Sequence, residues 1–357
     1  MKLPLPALYV LFALRLSGAA ADVTVAASPE ETQRFKTAAE YSRVSRGVAV
    51  LVMRKGEIIF EDYAPIWSAE KLHLLAEGTT SFAAALAVCA WQDGLLDLDE
   101  KASDTITEWK DDPLKAAITI RQLLSLSSGI AGGDTRRHPP SFKESIEVAT
   151  LLPNAAPGAQ FSFGPIPFQC FGEVLRRKLE AKKETVYNYL HRRLITPLQL
   201  RVVFWRRDKD GHPHLQSGAF LTARDWAKFG EFVRMNGKWN GVQLVGPKLT
   251  AACFHPSRAN PGYGLGWWLL GADAGSTAAL AEFPGVQRQE RELEERRLNG
   301  FQIPGDTVAA MGRGQQRCYI IPSQELVIVR LGDSEGRDFL DNQFLAKLLG
   351  KNPPETR

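Results

Sequence analysis

An unbroken apolar run occupies residues 47–53 (Gly-Val-Ala-Val-Leu-Val-Met), and a second strand-like run occupies 57–63 (Glu-Ile-Ile-Phe-Glu-Asp-Tyr). The turn residues Arg54-Lys55-Gly56 between them predict a β-hairpin. Val48, Val50 and Val52 share one face, with Ala49, Leu51 and Met53 on the other. Both faces are apolar, so the strand is expected to be central and covered by helices. The period then changes. Ala-rich residues 82–91 read as a buried helix, with Gly94 as its stop, and 95–100 as a surface turn. A further helix begins at 118–124. Thr119 is its N-cap and Gln122, three residues on, completes a capping box. Ser127-Ser128-Gly129 ends it.

Helices are also expected near 141–151, over 167–181 and over 184–195. Thr222-Ala223-Arg224-Asp225 is a capping-box-like start for an amphipathic run to Met235. Strand character returns in the last third, with one candidate at 262–268 and a hairpin of 318–322 and 326–331 around Ser323-Gln324-Glu325. Residues 337–349 read as a closing helix. The Glu- and Arg-rich stretch 287–298 reads as an exposed helix with i,i+4 pairs. The order is strands, a helical middle, strands and a last helix. It predicts an α/β (α+β) fold in which one lobe is built from both chain ends, about 22–76 and 200–357, with a mostly helical lobe, about 77–199, inserted. The cleft between two such lobes is the default binding site.

At 357 residues, 44% hydrophobic and 24% charged, the chain has ordinary globular composition. Its start reads as a secretory signal over 1–21. Lys2 precedes an apolar run from Leu5 to Leu14, and Ala19-Ala20-Ala21 offers small residues before Asp22. Arg15 interrupts the pattern, and a membrane anchor is the alternative. A mature chain from Asp22 would be periplasmic or secreted, without stable membrane insertion. Removing Lys2 and Arg15 takes the 44 basic residues to 42, against 40 acidic ones. That balance points to no nucleic-acid partner, and Arg176-Arg177-Lys178 and Arg192-Arg193 read as solvated helix faces. Cys89, Cys170, Cys253 and Cys318 have no C-x-x-C spacing, so zinc and redox motifs are excluded. An exported chain could pair them, but their apolar surroundings favour four buried free thiols. The histidines show no metal spacing, and His212-Pro213-His214 reads as a turn.

Five segments carry a resemblance. They are residues 47–52 before Lys55-Gly56; Gln92-Asp93-Gly94-Leu95-Leu96-Asp97-Leu98-Asp99; Ile118 to Gly129; Thr222 to Gly230; and Gly262 to Trp268. In this order and spacing the chain, from about 45 to 349, resembles the serine β-lactamase and penicillin-binding-protein superfamily. The branch is that of class C β-lactamases, D-alanyl-D-alanine carboxypeptidases and esterases. The resemblance implies an antiparallel sheet flanked by helices; no cofactor and no metal are expected. It also implies three catalytic clusters: Ser-x-x-Lys opening a helix, a proton-relaying Tyr within Tyr-x-Asn, and a strand bearing Lys-Thr-Gly or His-x-Gly.

All three positions differ here. Glu77 stands at the Ser position and Thr80 at the Lys position of Glu77-Gly78-Thr79-Thr80. Phe163 stands at the Tyr position of Phe161-Ser162-Phe163-Gly164. Gly312-Arg313-Gly314 is the best match to the third cluster and brings Arg313 but neither Lys nor His. Gly312, Arg313, Gly314 and Gln315 are the candidate ligand-cleft residues. No intact catalytic set remains. Ser81 lacks a Lys three residues on, Ser125, Ser127 and Ser128 read as caps, and Glu231 and Asp225 as helix surface or cap residues. A helix-dipole contact suffices to explain Glu77.

The expectation is an exported pseudo-hydrolase keeping a cleft for a small molecule, a peptide or a peptidoglycan fragment. One alternative is an active hydrolase of esters or amides, or a β-lactamase-like enzyme, working through Glu77. Another is a structural or interaction protein that uses 288–297.

Overall fold

The structure, a computed structural model, describes residues 26–134, 138–271, 301–333 and 339–350. Six strands form one antiparallel sheet in the order β2-β1-β10-β9-β8-β7. They are β1 (Gly47–Arg54), β2 (Glu57–Tyr63), β7 (Trp268–Leu269), β8 (Val308–Gly312), β9 (Gln316–Ile321) and β10 (Leu326–Gly332). Early and late strands thus share a sheet, with β1 paired to β10 along its length. The 54–56 turn and the 323–325 turn fall as the sequence predicts, and Glu325 takes the left-handed conformation at φ 57°.

The sheet is covered on both faces. Helix α1 (Pro29–Val44) packs on β1 and on the last helix, α9 (Asp341–Leu349). Helix α7 (Ala223–Arg234) packs on β1, β9 and β10. Side chains alternate along a strand. Cys318 and Val327 therefore meet α7 at Gly230, while Arg317, Tyr319 and Arg330 point to the opposite face, where α1 and α9 lie.

The helical middle comprises α2 (Thr80–Gln92), α3 (Ile120–Leu124), α4 (Phe142–Val148), α5 (Pro165–Glu180) and α6 (Val186–Leu190), the last running into a π-helical turn at 191–195. Helix α8 (Pro247–Ala252) packs on α2. Two minor pairs join β3 (His73–Leu74) to β4 (Phe220–Leu221) and β5 (Lys238–Trp239) to β6 (Val242–Gln243). Among the described residues no helix is long and apolar enough to cross a membrane. The signal-like residues 1–21 and the charged stretch 287–298 lie outside the described residues.

Local signals held where their partners are local. Thr119 Oγ1 accepts from Gln122 N–H at 3.2 Å, and Gln122 Oε1 accepts from Thr119 N–H at 2.9 Å. Removing that box with Thr119→Ala should cost about 1 kcal/mol, read as a lower urea midpoint at unchanged slope. At Thr222 only half the box forms, because the Asp225 carboxylate takes the Thr222 hydroxyl at 2.8 Å instead of a backbone N–H.

Several expectations need correction. Helix α3 stops at Leu124, since Leu126 adopts φ 57°. The candidate strand 262–268 is a loop up to Trp267. Gly266 sits at φ 68° against the Thr80 carbonyl, and Gly264 lies against the Cys253 carbonyl. Arg176 and Arg177 are not simply solvated, because both clasp the buried Glu173 and Arg177 also holds Glu108. Glu231 is buried against Arg234 rather than on the surface. The four cysteines are buried free thiols, and burial pushes Cys89, Cys170 and Cys253 up to about 12.

Candidate functional site

Glu77 belongs to a single 3-10 turn, Ala76–Thr79, that feeds α2. The end of β8 lies directly on that turn. A Cβ on Gly312 would overlap the Leu75 carbonyl oxygen and stand 2.9 Å from Gly78 N and 3.1 Å from Glu77 N. Only a glycine permits this approach. The next residue, Arg313, then presents its backbone N–H to Glu77. Oε2 of the carboxylate accepts it at 2.7 Å, and Oε1 lies 3.5 Å from Arg313 Nη2. Glu77 is 2% exposed. The short contact is a charge-assisted hydrogen bond, and the long one contributes charge more than geometry. The helix-dipole explanation of Glu77 is therefore replaced by a specific partner 236 residues away.

The Arg313 turn is held from beneath. Gly314 and Gln315 take φ values of 79° and 60°. The buried Arg317 donates to the Gly312 and Gln316 carbonyls and to Gln315 Oε1, and the buried Arg330 to the Gly314 and Gln315 carbonyls. Gln316 exchanges side-chain hydrogen bonds with Gly332 at 2.7 and 3.0 Å. Of the four cleft candidates, Arg313 and Gly314 are half-buried. Gly312 and Gln315 are buried in packing and bracing contacts.

Thr80, 3% exposed, donates its hydroxyl to the Gly266 carbonyl at 2.8 Å. Beside it lies Tyr263, fully buried. Burial raises this hydroxyl above the usual tyrosine range, with Thr80 opposing, and among the described residues it completes no hydrogen bond. Phe163 lies on Trp268, their ring centroids 5.9 Å apart, and Phe161 contacts both Trp268 and Tyr263. The Tyr-x-Asn position thus carries an aromatic wall, and Pro165 falls where the Asn would be. The neighbouring Ser162 Oγ accepts from Gly132 N–H at 2.9 Å.

Other hydroxyls are spent locally. Ser81 is buried and donates to the Gly78 carbonyl at 2.7 Å, Ser125 and Ser127 bond each other at 2.8 Å, and Ser128 accepts from Ile130 N–H. His73, four residues before Glu77, contacts the Gly332 carbonyl at 2.6 Å. Burial lowers its pKa despite that carbonyl. A separate cavity of about 560 Å³ lies between β2 and α7, with Glu57, Arg201, Arg224 and Trp239 among its lining, and it contains none of the site positions. Among the described residues no group of three His, Cys, Asp or Glu is placed to hold a metal.

Sequence reasoning missed the Glu77–Arg313 contact, the buried arginines and Tyr263. A charged residue inside the apolar run Leu326-Val327-Ile328-Val329-Arg330-Leu331 was the available signal for one of them.

A family model described as Beta-lactamase matches residues 31–350. Solved structures of the same shape are distant in sequence. A penicillin-binding protein homologue from Caulobacter crescentus is 15% identical, with a TM-score of 0.66, covering 89% of this chain and 96% of its own. A beta-lactamase from Mycobacterium bovis is 19% identical at TM-score 0.57, with coverages of 84% and 90%. A family VIII carboxylesterase is 14% identical at TM-score 0.67, with coverages of 91% and 97%. No curated protein sequence matches.

Proposed function

Since the chain belongs to the beta-lactamase family, a hydrolase family that includes esterases and penicillin-binding-protein-like members, we propose that it is an exported member without acyl-transfer activity that keeps its cleft for binding. The observation that carries this reading is the state of Glu77. A buried carboxylate, bound to Arg313 N–H at 2.7 Å, fills the position of the family nucleophile. A carboxylate tied to a donor is a poor nucleophile, and among the described residues neither a Lys nor a Tyr stands at the two other family positions, Thr80 and Phe163. The Thr80 hydroxyl donates its hydrogen bond to the Gly266 carbonyl, and Phe163 has no hydroxyl. Groups that act as a unit lose most of the rate when one is removed, and here three are replaced. The cleft ligand is a small molecule, a peptide or a peptidoglycan fragment, and the mature chain begins near Asp22.

The test treats the mature protein with a serine-directed covalent probe and a chromogenic β-lactam. Neither labelling nor turnover above a Glu77→Gln control is expected. Stoichiometric labelling would overturn the proposal. Turnover that vanishes in Glu77→Gln would establish the alternative, hydrolysis through Glu77. Amino-terminal sequencing of the exported protein tests the start at Asp22.

A further inference from the structure

We propose that Glu77 is an internal ligand: its carboxylate occupies an anion pocket built by the Arg313 backbone N–H and guanidinium against the 76–79 turn, and the protein lacking that side chain takes a small aliphatic carboxylate in its place. The inference holds whether or not the protein turns over a substrate, since it rests on the pocket and not on the reaction.

The pocket is built independently of its occupant. Gly312 brings the β8 backbone onto the turn, and the Arg317 and Arg330 guanidinium groups fix the carbonyls on either side of Arg313. The donor that faces Glu77 is therefore oriented before the carboxylate arrives. Truncating Glu77 takes the carboxylate away from the part-buried Arg313 N–H and the cation beside it, and a donor that loses its acceptor away from bulk water is costly. It also empties a space of known shape. Glu77→Ala removes one methylene and the carboxylate, which is the size of acetate. Glu77→Gly removes one carbon more, which is the size of propionate. In the wild type the pocket is full, so no response to either anion is expected.

Thermal unfolding in sodium acetate, sodium propionate and sodium chloride at equal ionic strength reads this out. Glu77→Ala should melt about 2–4 °C higher in 100 mM acetate than in chloride, with half-saturation around 10 mM. Glu77→Gly should prefer propionate over acetate. Wild type and Glu77→Gln, whose amide still fills the space, should show no difference between the salts. Equal melting of Glu77→Ala in acetate and chloride, or an equal acetate shift in the wild type, would overturn the proposal. If the truncated variants do not accumulate as folded protein, refolding yield in the same salts carries the test. A yield higher in acetate for Glu77→Ala supports the pocket, and equal yields overturn it. Probe labelling or turnover by the wild type would defeat the inactive reading while leaving this outcome untouched.

Discussion

Asp341→Asn is expected to destabilise the protein by about 3–5 kcal/mol, the cost of removing one partner from a buried ion pair. Arg317 is fully buried, and Asp341, at the first turn of α9, is 5% exposed. Arg317 Nε lies 2.7 Å from Oδ1 and Nη2 3.3 Å from Oδ2, while Tyr319 donates its hydroxyl to Oδ1 at 2.5 Å. Burial works to lower the arginine pKa, but Asp341 and Tyr319 outweigh it, so the pKa is raised and the guanidinium stays charged. Asparagine keeps the shape and one acceptor but strips that guanidinium of the carboxylate. Equilibrium unfolding in guanidinium chloride reads the loss, and a shift below about 1 kcal/mol would mean that the pair contributes little. The double variant Arg317→Met with Asp341→Leu should recover only part of it. Two well-packed apolar residues avoid the desolvation penalty, yet the Gly312 and Gln316 carbonyls, Gln315 Oε1 and the Tyr319 hydroxyl all lose partners.

The pair matters for the site because of what it joins. Arg317 ties α9 to the 312–316 turn. Arg330 ties the same turn to the end of α1, through Ser42 Oγ at 3.1 Å and the Ser45 carbonyl at 2.7 Å, with Phe339 4.3 Å from its guanidinium. Arg330 has carbonyl and hydroxyl acceptors around it, and burial lowers its pKa to about 10. The two terminal helices thus set the position of the Arg313 N–H.

That dependence explains which parts of the protein were readable in its sequence. The β1–β2 hairpin and the Thr119 cap need partners within a few residues, and both stand as expected. The Ser28–Glu31 box that opens α1 is just as local and was available, with Pro29 and two acids in the first turn. Strand β8 was missed because Val308-Ala309-Ala310-Met311-Gly312 is short and buried on both faces, so it carries no alternation. The 262–267 loop was misread for the opposite reason. Its alternating Gly and apolar residues imitate a strand, while close backbone approaches to Cys253 and Thr80 set its path. At the site, the replaced residues were legible from spacing, but the partner of Glu77 was not. Nothing within a few residues of Glu77 announces a donor that the sheet delivers from 236 residues later.

Gly312→Ala should be the sharpest single test of that delivery. The added methyl overlaps the Leu75 carbonyl oxygen, which already accepts Gly78 N–H at 3.0 Å and cannot rotate away without breaking the 76–79 turn. Overpacking a well-packed core costs about 1–3 kcal/mol, and against a fixed backbone carbonyl the upper end, about 3 kcal/mol, is expected. Gly246→Ala is the matched control. Its added Cβ would meet nothing nearer than Gln92 Oε1 at 3.7 Å and its φ of −56° suits alanine, so the expected cost is only that of Ala in place of Gly at the N-cap of α8, about 0.5–1 kcal/mol. The two variants share the same chemical change, so a loss in Gly312→Ala well beyond the cap cost of Gly246→Ala reports the contact between β8 and the turn. Gly312→Ala must also move the Arg313 N–H off Glu77. Acetate should therefore no longer raise the melting temperature of Glu77→Ala when Gly312→Ala is added, whereas adding Gly246→Ala should leave that shift in place. Retention of the acetate shift in the Gly312 double variant would place the anion pocket elsewhere than on Arg313.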